Sequence, residues 1–195
     1  GFEMAIDISL MVRSTGLVSM DVFEAIGTRR SIRKYSPKPV PRKLLLKLAE
    51  VAQLAPSASH IQPWHFIFVT DSDKREQLSE SRWAGFLTES PVVVVGLGDQ
   101  KASPSWYRID VTIALEHIVL AATSKGLGTC WIGSFDEDKV KEMLKIPEKY
   151  RVVSLLALGY PLEKSKPSGK ARRPIRERRG LDQIVSYEEF GKQSS

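Results

Sequence analysis

Residues 110–133 carry the stretch that decides the fold, DVTIALEHIVLAATSKGLGTCWIG. Its first part, up to Lys125, is apolar nearly all round a helical projection, which predicts a helix buried at the centre of the domain. Gly126 and Gly128 end this helix, and the residues that follow them are typical of a strand. The sequence therefore predicts a sheet that packs around one buried helix.

The flanking sequence alternates between helices and strands, but not in a regular βαβ order. One helix is expected from the capping box at Asp21 to about Gly27, and a second from Pro41 to about Ala55, before any strand. The other expected elements are strands at 64–70, 91–96 and 151–159, and helices at 72–80 and after a capping box that begins at Ser134. The predicted fold class is α+β, with one mixed central sheet of about four to five strands and helices on both faces.

The composition is that of one globular domain. The chain has 195 residues, of which 42% are hydrophobic and 27% charged. Its single cysteine, Cys130, excludes an internal disulfide framework and a multi-cysteine metal cluster, and the apolar run at 91–95 is far shorter than the ~20 residues of a membrane helix. We expect an N-terminal extension over 1–19, one domain over 20–185 and a tail over 186–195. The extension contains no signal-peptide core, so a cytoplasmic location is expected.

The net charge of +6 is concentrated near the C-terminus. Residues 163–179 hold eight Lys or Arg and two Glu, so the rest of the chain sums to zero. Nucleic acid, an anionic membrane and a phosphorylated cofactor are the partners that suit such a segment. Pro167, Gly169 and Pro174 favour an extended strap over a helix that reads a DNA groove. A nucleic-acid-binding protein that uses residues 164–179 is the alternative from a different functional class.

Several sequence features that could mark a functional site are incomplete or isolated in this sequence. Gly96-Leu-Gly98 follows a strand, but the third glycine of a dinucleotide-binding motif is replaced by Lys101. None of the three histidines has metal-ligand spacing to another ligand, so a structural role is favoured for His65 and His117. His60 stays open, because its loop is otherwise built for contact. Cys130 lies in an apolar strand without an identifiable activating base, which indicates a buried hydrophobe rather than a nucleophile.

The segment Arg29-Arg30-Ser31-Ile32-Arg33 is the strongest candidate for a ligand contact. Two guanidinium groups and a hydroxyl suit a phosphate, because they supply planar bidentate donors and a neutral one. Arg33 is expected to point elsewhere and to serve another polar group. One phosphomonoester could satisfy both this cluster and the basic C-terminal segment.

Four blocks in this order resemble the FMN-dependent nitroreductase family, over about residues 21–185. The blocks are RRSIRKY at 29–35, APSASHIQPW at 55–64, GLGTCWIG at 126–133 and LALGYP at 156–161. The resemblance implies a nitroreductase fold and a homodimer with FMN at the subunit interface. It also implies that FMN carries hydride from NADH or NADPH to nitroaromatic, quinone or similar small acceptors by a ping-pong mechanism. A flavin-dependent dehalogenase or a heterocycle dehydrogenase on the same scaffold is the alternative.

The resemblance also implies which residues would bind FMN, while no residue is expected to be catalytic because the flavin carries the chemistry. Arg29, Arg30 and Ser31 match phosphate and ribityl contacts, and Arg33 matches the basic residue beside the pyrimidine edge. The other matching positions are Pro56, Ser57, Ala58, Ser59 and His60 in a loop from the partner subunit, Ile132, Gly133 and Ser134 beside the reactive edge, and Arg176 and Arg178 in the strap, with Lys170 and Arg172 as the alternative register. The sequence departs from the family at His60, where Asn is frequent, and at Glu116-His117, where Gln-Asn is frequent.

Overall fold

A computed structural model describes residues 20–80, 84–162 and 178–192. The chain divides into two compact units between residues 163 and 164. The helices of the first unit are α1 (Val22–Thr28), α2 (Arg42–Gln53), α3 (Ser72–Ser79), α4 (Tyr107–Ser124) and α5 (Glu137–Leu144), with short 3₁₀ turns at Ala58–His60 and Gly85–Thr88. In the described part of the second unit, a single 3₁₀ turn spans Leu181–Gln183.

Four strands form one sheet in the order β1-β2-β4-β3. The strands are β1 (Trp64–Val69), β2 (Val92–Asp99), β3 (Gly128–Ile132) and β4 (Tyr150–Gly159). All three ladders are antiparallel, so the expectation of a mixed sheet is corrected. The connection through α4 does return β3 parallel to β2, but β4 inserts between these two strands and pairs antiparallel with both. Among the described residues, parallel pairing is limited to the isolated bridge between Ser31 and Thr129.

The sheet has an apolar core on each face, as expected from its fully buried central strand. On one face α2 and α4 pack against alternate residues of β2 such as Val92 and Val94. On the other face α3, α5 and the Gly85–Thr88 turn cover Val93 and Val95. All eight residues of β2 are buried, and α4 is buried along most of its length. The predicted buried helix and the predicted helices on both faces are confirmed.

Two glycines of β2 allow α4 to lie close to the sheet. A Cβ atom added at Gly96 would lie 2.6 Å from Leu115 Cδ1, and one at Gly98 would lie 2.5 Å from Tyr107 Cδ2. These are the glycines of the incomplete dinucleotide motif, and they lie inside the strand rather than in a loop after it. The rejection of that motif is therefore confirmed, and the glycines have a packing role.

Two helix starts differ from the sequence expectation. Helix α4 begins at Tyr107 rather than near Asp110, because residues 103 and 106 already accept backbone hydrogen bonds from Tyr107 and Asp110. Helix α5 is capped by Asp136, whose carboxylate accepts from Lys139 N at 3.2 Å. The capping box was expected at Ser134, but the carboxylate two residues later takes the N-cap position. Ser134 thereby remains exposed in the loop after β3.

Substitution of Gly96 by Ala tests the close approach of α4. We expect Gly96→Ala to lower the free energy of unfolding by about 1–3 kcal/mol, because the added methyl overpacks the contact with Leu115. The matched control is Gly27→Ala in α1, where no atom lies within 4 Å of the added Cβ, and which should be neutral or stabilising by up to about 1 kcal/mol. Urea unfolding of both variants measures the difference. Equal stability of the two variants would contradict the packing argument.

Candidate functional site

The arginine segment, residues 29–33, lies along the start of β3. Ile32 N donates to Thr129 O at 2.9 Å, next to the bridge between Ser31 and Thr129. The Ile32 side chain packs on Gly128, where an added Cβ would come within 2.5 Å of it. The backbone of this segment is therefore fixed by one buried apolar contact, while Ser31 stays exposed.

Three alternate residues of the segment influence the ionisation of the Cys130 thiol. Burial raises the pKa of this thiol, and the charges of Arg33 and Arg29 and a hydrogen bond with Ser31 act against that rise. The charges of Arg33 and Arg29 therefore both act on this thiol, while the expectation that Arg33 serves a different polar group stays a prediction. Cys130 itself is only 2% exposed, so its prediction as a buried hydrophobe is confirmed.

Arg30 is turned back toward α1. Its Nη1 donates to Gly27 O at 2.7 Å and to Arg29 O at 2.8 Å. These carbonyls lie at the C-terminal end of the helix, where a cation is favourable. The rest of the Arg30 guanidinium is exposed, because the residue as a whole is exposed.

Arg33 sits beside an aromatic ring at the other end of the segment. Its guanidinium carbon lies 5.9 Å from the centre of the Phe86 ring. The neighbouring Tyr35 hydroxyl donates to Ile32 O at 2.6 Å, and burial raises the pKa of this phenol above its ordinary value. The Tyr35 contact ties the segment to the core and leaves Arg33 exposed.

Glu116 on α4 lies close enough to Arg29 for their charges to interact, a pairing that sequence reasoning missed. Burial raises the pKa of Glu116, and the charge of Arg29, a hydrogen bond from Trp131 and the charge of His117 oppose the rise. The sequence marked Glu116 only as a departure from the family pattern. These groups come from the residue after α1, from β3 and from α4, so only the tertiary fold brings them together.

The residues after β3 provide the other end of the same strand. Ile132 is buried and its carbonyl accepts from Ser154 Oγ at 3.0 Å, while Gly133 and Ser134 are exposed. Gly133 is four positions after Thr129, which in extended chain is a distance of about 13 Å. The arginine segment and the exposed Gly133-Ser134 turn therefore lie at opposite ends of β3.

The loop at 56–63 has a strained and well-anchored backbone. Ser59, His60 and Gln62 have φ values of 49°, 55° and 53°, in the left-handed region that non-glycine residues seldom adopt. Gln62 N donates to Ser57 Oγ at 2.9 Å, and His60 N donates to Ser57 O at 3.0 Å. Pro56, Ser59 and His60 are exposed, whereas Ser57 and Ala58 are half-buried.

Asp110, in the first turn of α4, anchors this loop through a hydrogen bond. Its Oδ1 accepts from Ala58 N at 3.2 Å, and the residue is only 2% exposed. Among the described residues, its Oδ2 is the one buried side-chain polar atom without a hydrogen-bond partner. A buried carboxylate oxygen without a partner is costly, so the loop is held in place at the expense of stability. Sequence reasoning missed this residue, because Asp110 was placed at the helix start without a partner.

The loop and the arginine segment contact different parts of α4. The loop is bound at Asp110, and the arginine segment lies near Glu116, about 9 Å further along the helix axis. Of the four basic residues proposed in the strap, the structure describes only Arg178, which is exposed in the second unit. Arg176, Lys170 and Arg172 fall outside the described residues. The prediction that two arginine clusters meet on one phosphate stays a prediction, as does the nucleic-acid alternative for 164–179.

Candidate metal sites and membrane-spanning helices are both lacking among the described residues. There, no group of three or more potential ligands among His, Cys, Asp and Glu could hold a metal ion. His117 Nδ1 lies 3.1 Å from Val51 O, in agreement with a structural role. The helices of the described residues also lack the combination of length and apolar character that a membrane crossing requires.

Comparison with known proteins identifies the family. A family model described as "Putative TM nitroreductase" matches residues 21–193. A protein of Methanothermobacter thermautotrophicus named "Putative NADH dehydrogenase/NAD(P)H nitroreductase" is 39% identical over 164 residues, which cover 80% of this chain and 86% of that protein. These matches, with the fold described above, show that the chain belongs to the nitroreductase family of NAD(P)H oxidoreductases.

Solved structures agree with this assignment. An FMN-dependent nitroreductase from Clostridium difficile R20291 aligns with a TM-score of 0.73 and 30% identity, over 85% of this chain and 98% of that one. A nitroreductase family protein from Clostridium novyi NT aligns with a TM-score of 0.70 and 32% identity, over 89% of this chain and 96% of that one. The predicted nitroreductase-like fold is confirmed.

Glu116→Gln tests the electrostatics of the site through stability. Because the pKa of Glu116 is raised in the folded protein, the folded state holds the proton more tightly than the unfolded chain. The free energy of unfolding therefore falls as pH rises from about 4.3, the ordinary value, through the raised pKa, and stays lower above it. We expect Glu116→Gln to be more stable than wild type at pH 8 and to lose this part of the pH dependence.

The matched control for this experiment is Glu50→Gln on α2, where the side chain is exposed. Urea unfolding at several pH values from 4 to 8 measures both variants. A Glu116→Gln protein that is less stable than wild type at pH 8 would show that Arg29 and Trp131 outweigh the burial of the carboxylate.

Proposed function

We propose that this protein is an FMN-dependent oxidoreductase that takes hydride from NADH or NADPH and reduces nitroaromatic, quinone or similar small acceptors. The observation that carries the proposal is the arginine segment, held along β3 by Ile32 and offering exposed donors of the kind that bind phosphate. Family membership supports the NAD(P)H-linked redox chemistry, and FMN is named for the Clostridium difficile relative.

The donor set fits the phosphate of FMN. Arg29, Arg30 and Ser31 offer hydrogen-bond donors on consecutive residues, and the two guanidinium groups carry permanent positive charge. A phosphomonoester has three acceptor oxygens and nearly two negative charges near neutral pH. Arg30 uses one nitrogen for helix carbonyls, and its planar fork keeps further N–H groups for an anion.

The remaining residues of the site would orient the flavin ring and its substrates. When bound, FMN supplies the capacity to accept a hydride from NAD(P)H and to pass it to an acceptor. Arg33 would place a positive charge near the pyrimidine edge, where negative charge is stabilised by a nearby cation. Gly133 and Ser134 would border the ring, and the small side chains at 57–59 would leave room for a flat acceptor.

A homodimer is part of the proposal. The loop at 56–63 and the arginine segment contact α4 at different points, which is compatible with one FMN bound by segments of two protomers. Exposed apolar side chains on α1 and near the start of α4 are the kind of surface that a partner subunit covers. These side chains are Phe23 (83% exposed), Val22, Ile26, Trp106 and Ile109.

Reconstitution with FMN tests the proposed activity. The purified protein should bind FMN and become yellow, and NADH or NADPH should bleach it under anaerobic conditions. A nitroaromatic compound or a quinone should then restore the colour, and steady-state rates at several concentrations of both substrates should give the parallel double-reciprocal lines of a ping-pong mechanism. A protein that remains colourless after incubation with excess FMN and removal of the free flavin would refute the proposal.

Alanine substitutions test the phosphate contacts. Arg29→Ala and Arg30→Ala should each weaken FMN affinity by about 10- to 100-fold, the usual loss for a hydrogen bond to a charged group. Riboflavin, which lacks the phosphate, should bind with little change. Arg42→Ala, which removes an exposed arginine from the start of α2, is the matched control and should retain wild-type affinity for FMN in a fluorescence titration.

The register of the strap is tested by a second pair of variants. Arg178→Ala should weaken FMN affinity if the strap binds phosphate in the first register, and Arg172→Ala if it binds in the alternative one. We expect the larger loss for Arg178→Ala. Wild-type affinity in both variants would remove the strap from the proposed site.

A further inference from the structure

We propose that His60 determines acceptor specificity, by donating a hydrogen bond from Nδ1–H to the oxygen of a quinone or nitro group. This inference rests on the proposed function. The family resemblance implies an FMN contact at this position, where Asn is frequent, and the proposal gives the His of this sequence a contact with the acceptor instead.

The first argument is the shape of the loop. Ser59, His60 and Gln62 hold left-handed backbone conformations without the freedom of glycine, and each such residue is costly. The conformation is kept by Ser57, through both its carbonyl and its hydroxyl, and by Asp110 through Ala58 N. Strained backbone of this kind occurs preferentially where a side chain must be presented in a fixed position.

The second argument is the orientation of the imidazole. His60 Nε2 lies 3.0 Å from Gln62 Nε2. An amide nitrogen can only donate, so the imidazole nitrogen that faces it must accept. A neutral imidazole has one donor and one acceptor nitrogen, so the proton is on Nδ1. With the Gln62 amide placed in this way, the proposal assigns the Nδ1–H tautomer to His60.

The third argument is that the donor is available. His60 is exposed, and within residues 20–80, 84–162 and 178–192 its Nδ1 has no protein partner. Ile61 beside it is 42% exposed, so the tip of the loop presents one N–H donor next to one apolar side chain. An N–H donor next to an apolar side chain suits a planar organic acceptor that carries a carbonyl or nitro oxygen.

The chemistry of the acceptor explains the benefit of this donor. Reduction of a quinone to a hydroquinone adds one hydride, which comes from NAD(P)H through the bound flavin, and one proton from water. Negative charge develops on a carbonyl oxygen as hydride arrives, and a fixed N–H donor stabilises that charge more than it stabilises the neutral ground state. An acceptor without such an oxygen gains nothing from His60.

Acceptor selectivity measures the proposed hydrogen bond. The ratio of kcat/KM for menadione, a quinone, to kcat/KM for methylene blue, a two-electron acceptor without a carbonyl oxygen, is compared on protein with equal FMN content. His60→Leu should lower this ratio by about 3- to 10-fold, as the loss of one hydrogen bond predicts. His60→Gln, which restores an N–H donor, should recover part of it, and thermal unfolding checks that both variants are folded.

A direct readout of the tautomer needs no bound flavin. Nitrogen-15 NMR of the histidine side chains in the FMN-free protein should show His60 protonated at Nδ1, with its signals assigned by their loss in His60→Gln. Gln62→Leu removes the amide that fixes the tautomer, so it should move the proton toward Nε2 and lower the menadione ratio while the ring is kept.

The outcomes separate the two proposals. A wild-type protein that binds no FMN overturns both. A loaded, active protein whose ratio changes by less than twofold in His60→Leu overturns the role of His60 alone, and so does an Nε2–H tautomer in the wild-type protein.

Discussion

The close contact between α4 and the glycines of β2 is the constraint on which the rest of this structure depends. Gly96 and Gly98 have no side chains, so Leu115 and Tyr107 reach the sheet backbone itself. Helix α4 then lies deep enough to be covered by α2 and to meet α1 on its other side. Through its position, one buried helix carries both the anchor of the 56–63 loop and the carboxylate that faces the arginine segment.

The candidate site combines stable and costly elements. The arginine segment is held by favourable contacts alone, namely one isoleucine packed on Gly128 and one hydrogen bond to β3. The 56–63 loop, in contrast, carries unfavourable features. Three of its residues have strained backbone, and the buried aspartate that anchors it has one oxygen without a partner. This contrast is typical of proteins whose rigid scaffold supports a strained binding element.

The arginine segment concentrates positive charge that the nearby residues of α4 do little to balance. Three arginines lie within five residues, and among the described residues the nearest carboxylate on α4, Glu116, has its charge disfavoured by burial. A bound phosphate would supply the negative charge that the segment itself lacks.

Local sequence patterns determined most of the secondary structure and pointed to the segments that are proposed to bind the cofactor. The apolar helix, the glycines that end it and the run of valines in β2 each carry their own signal over a few residues, because helix and strand periodicity are local properties. The family blocks are local in the same sense, and they led to the arginine segment and to the loop at 56–63. The start of α5 was misplaced by two residues, because Ser134 and Asp136 are both good caps and only the fold chooses between them.

Only the tertiary structure decided which residues meet. The insertion of β4 between β2 and β3 made the sheet antiparallel, a choice that depends on the packing of whole elements rather than on any one strand. The same packing brought Asp110 to Ala58 and placed Glu116 where it interacts with the charge of Arg29. These pairs are far apart in sequence, and each is set by how deeply α4 and β3 are buried, which no local pattern records.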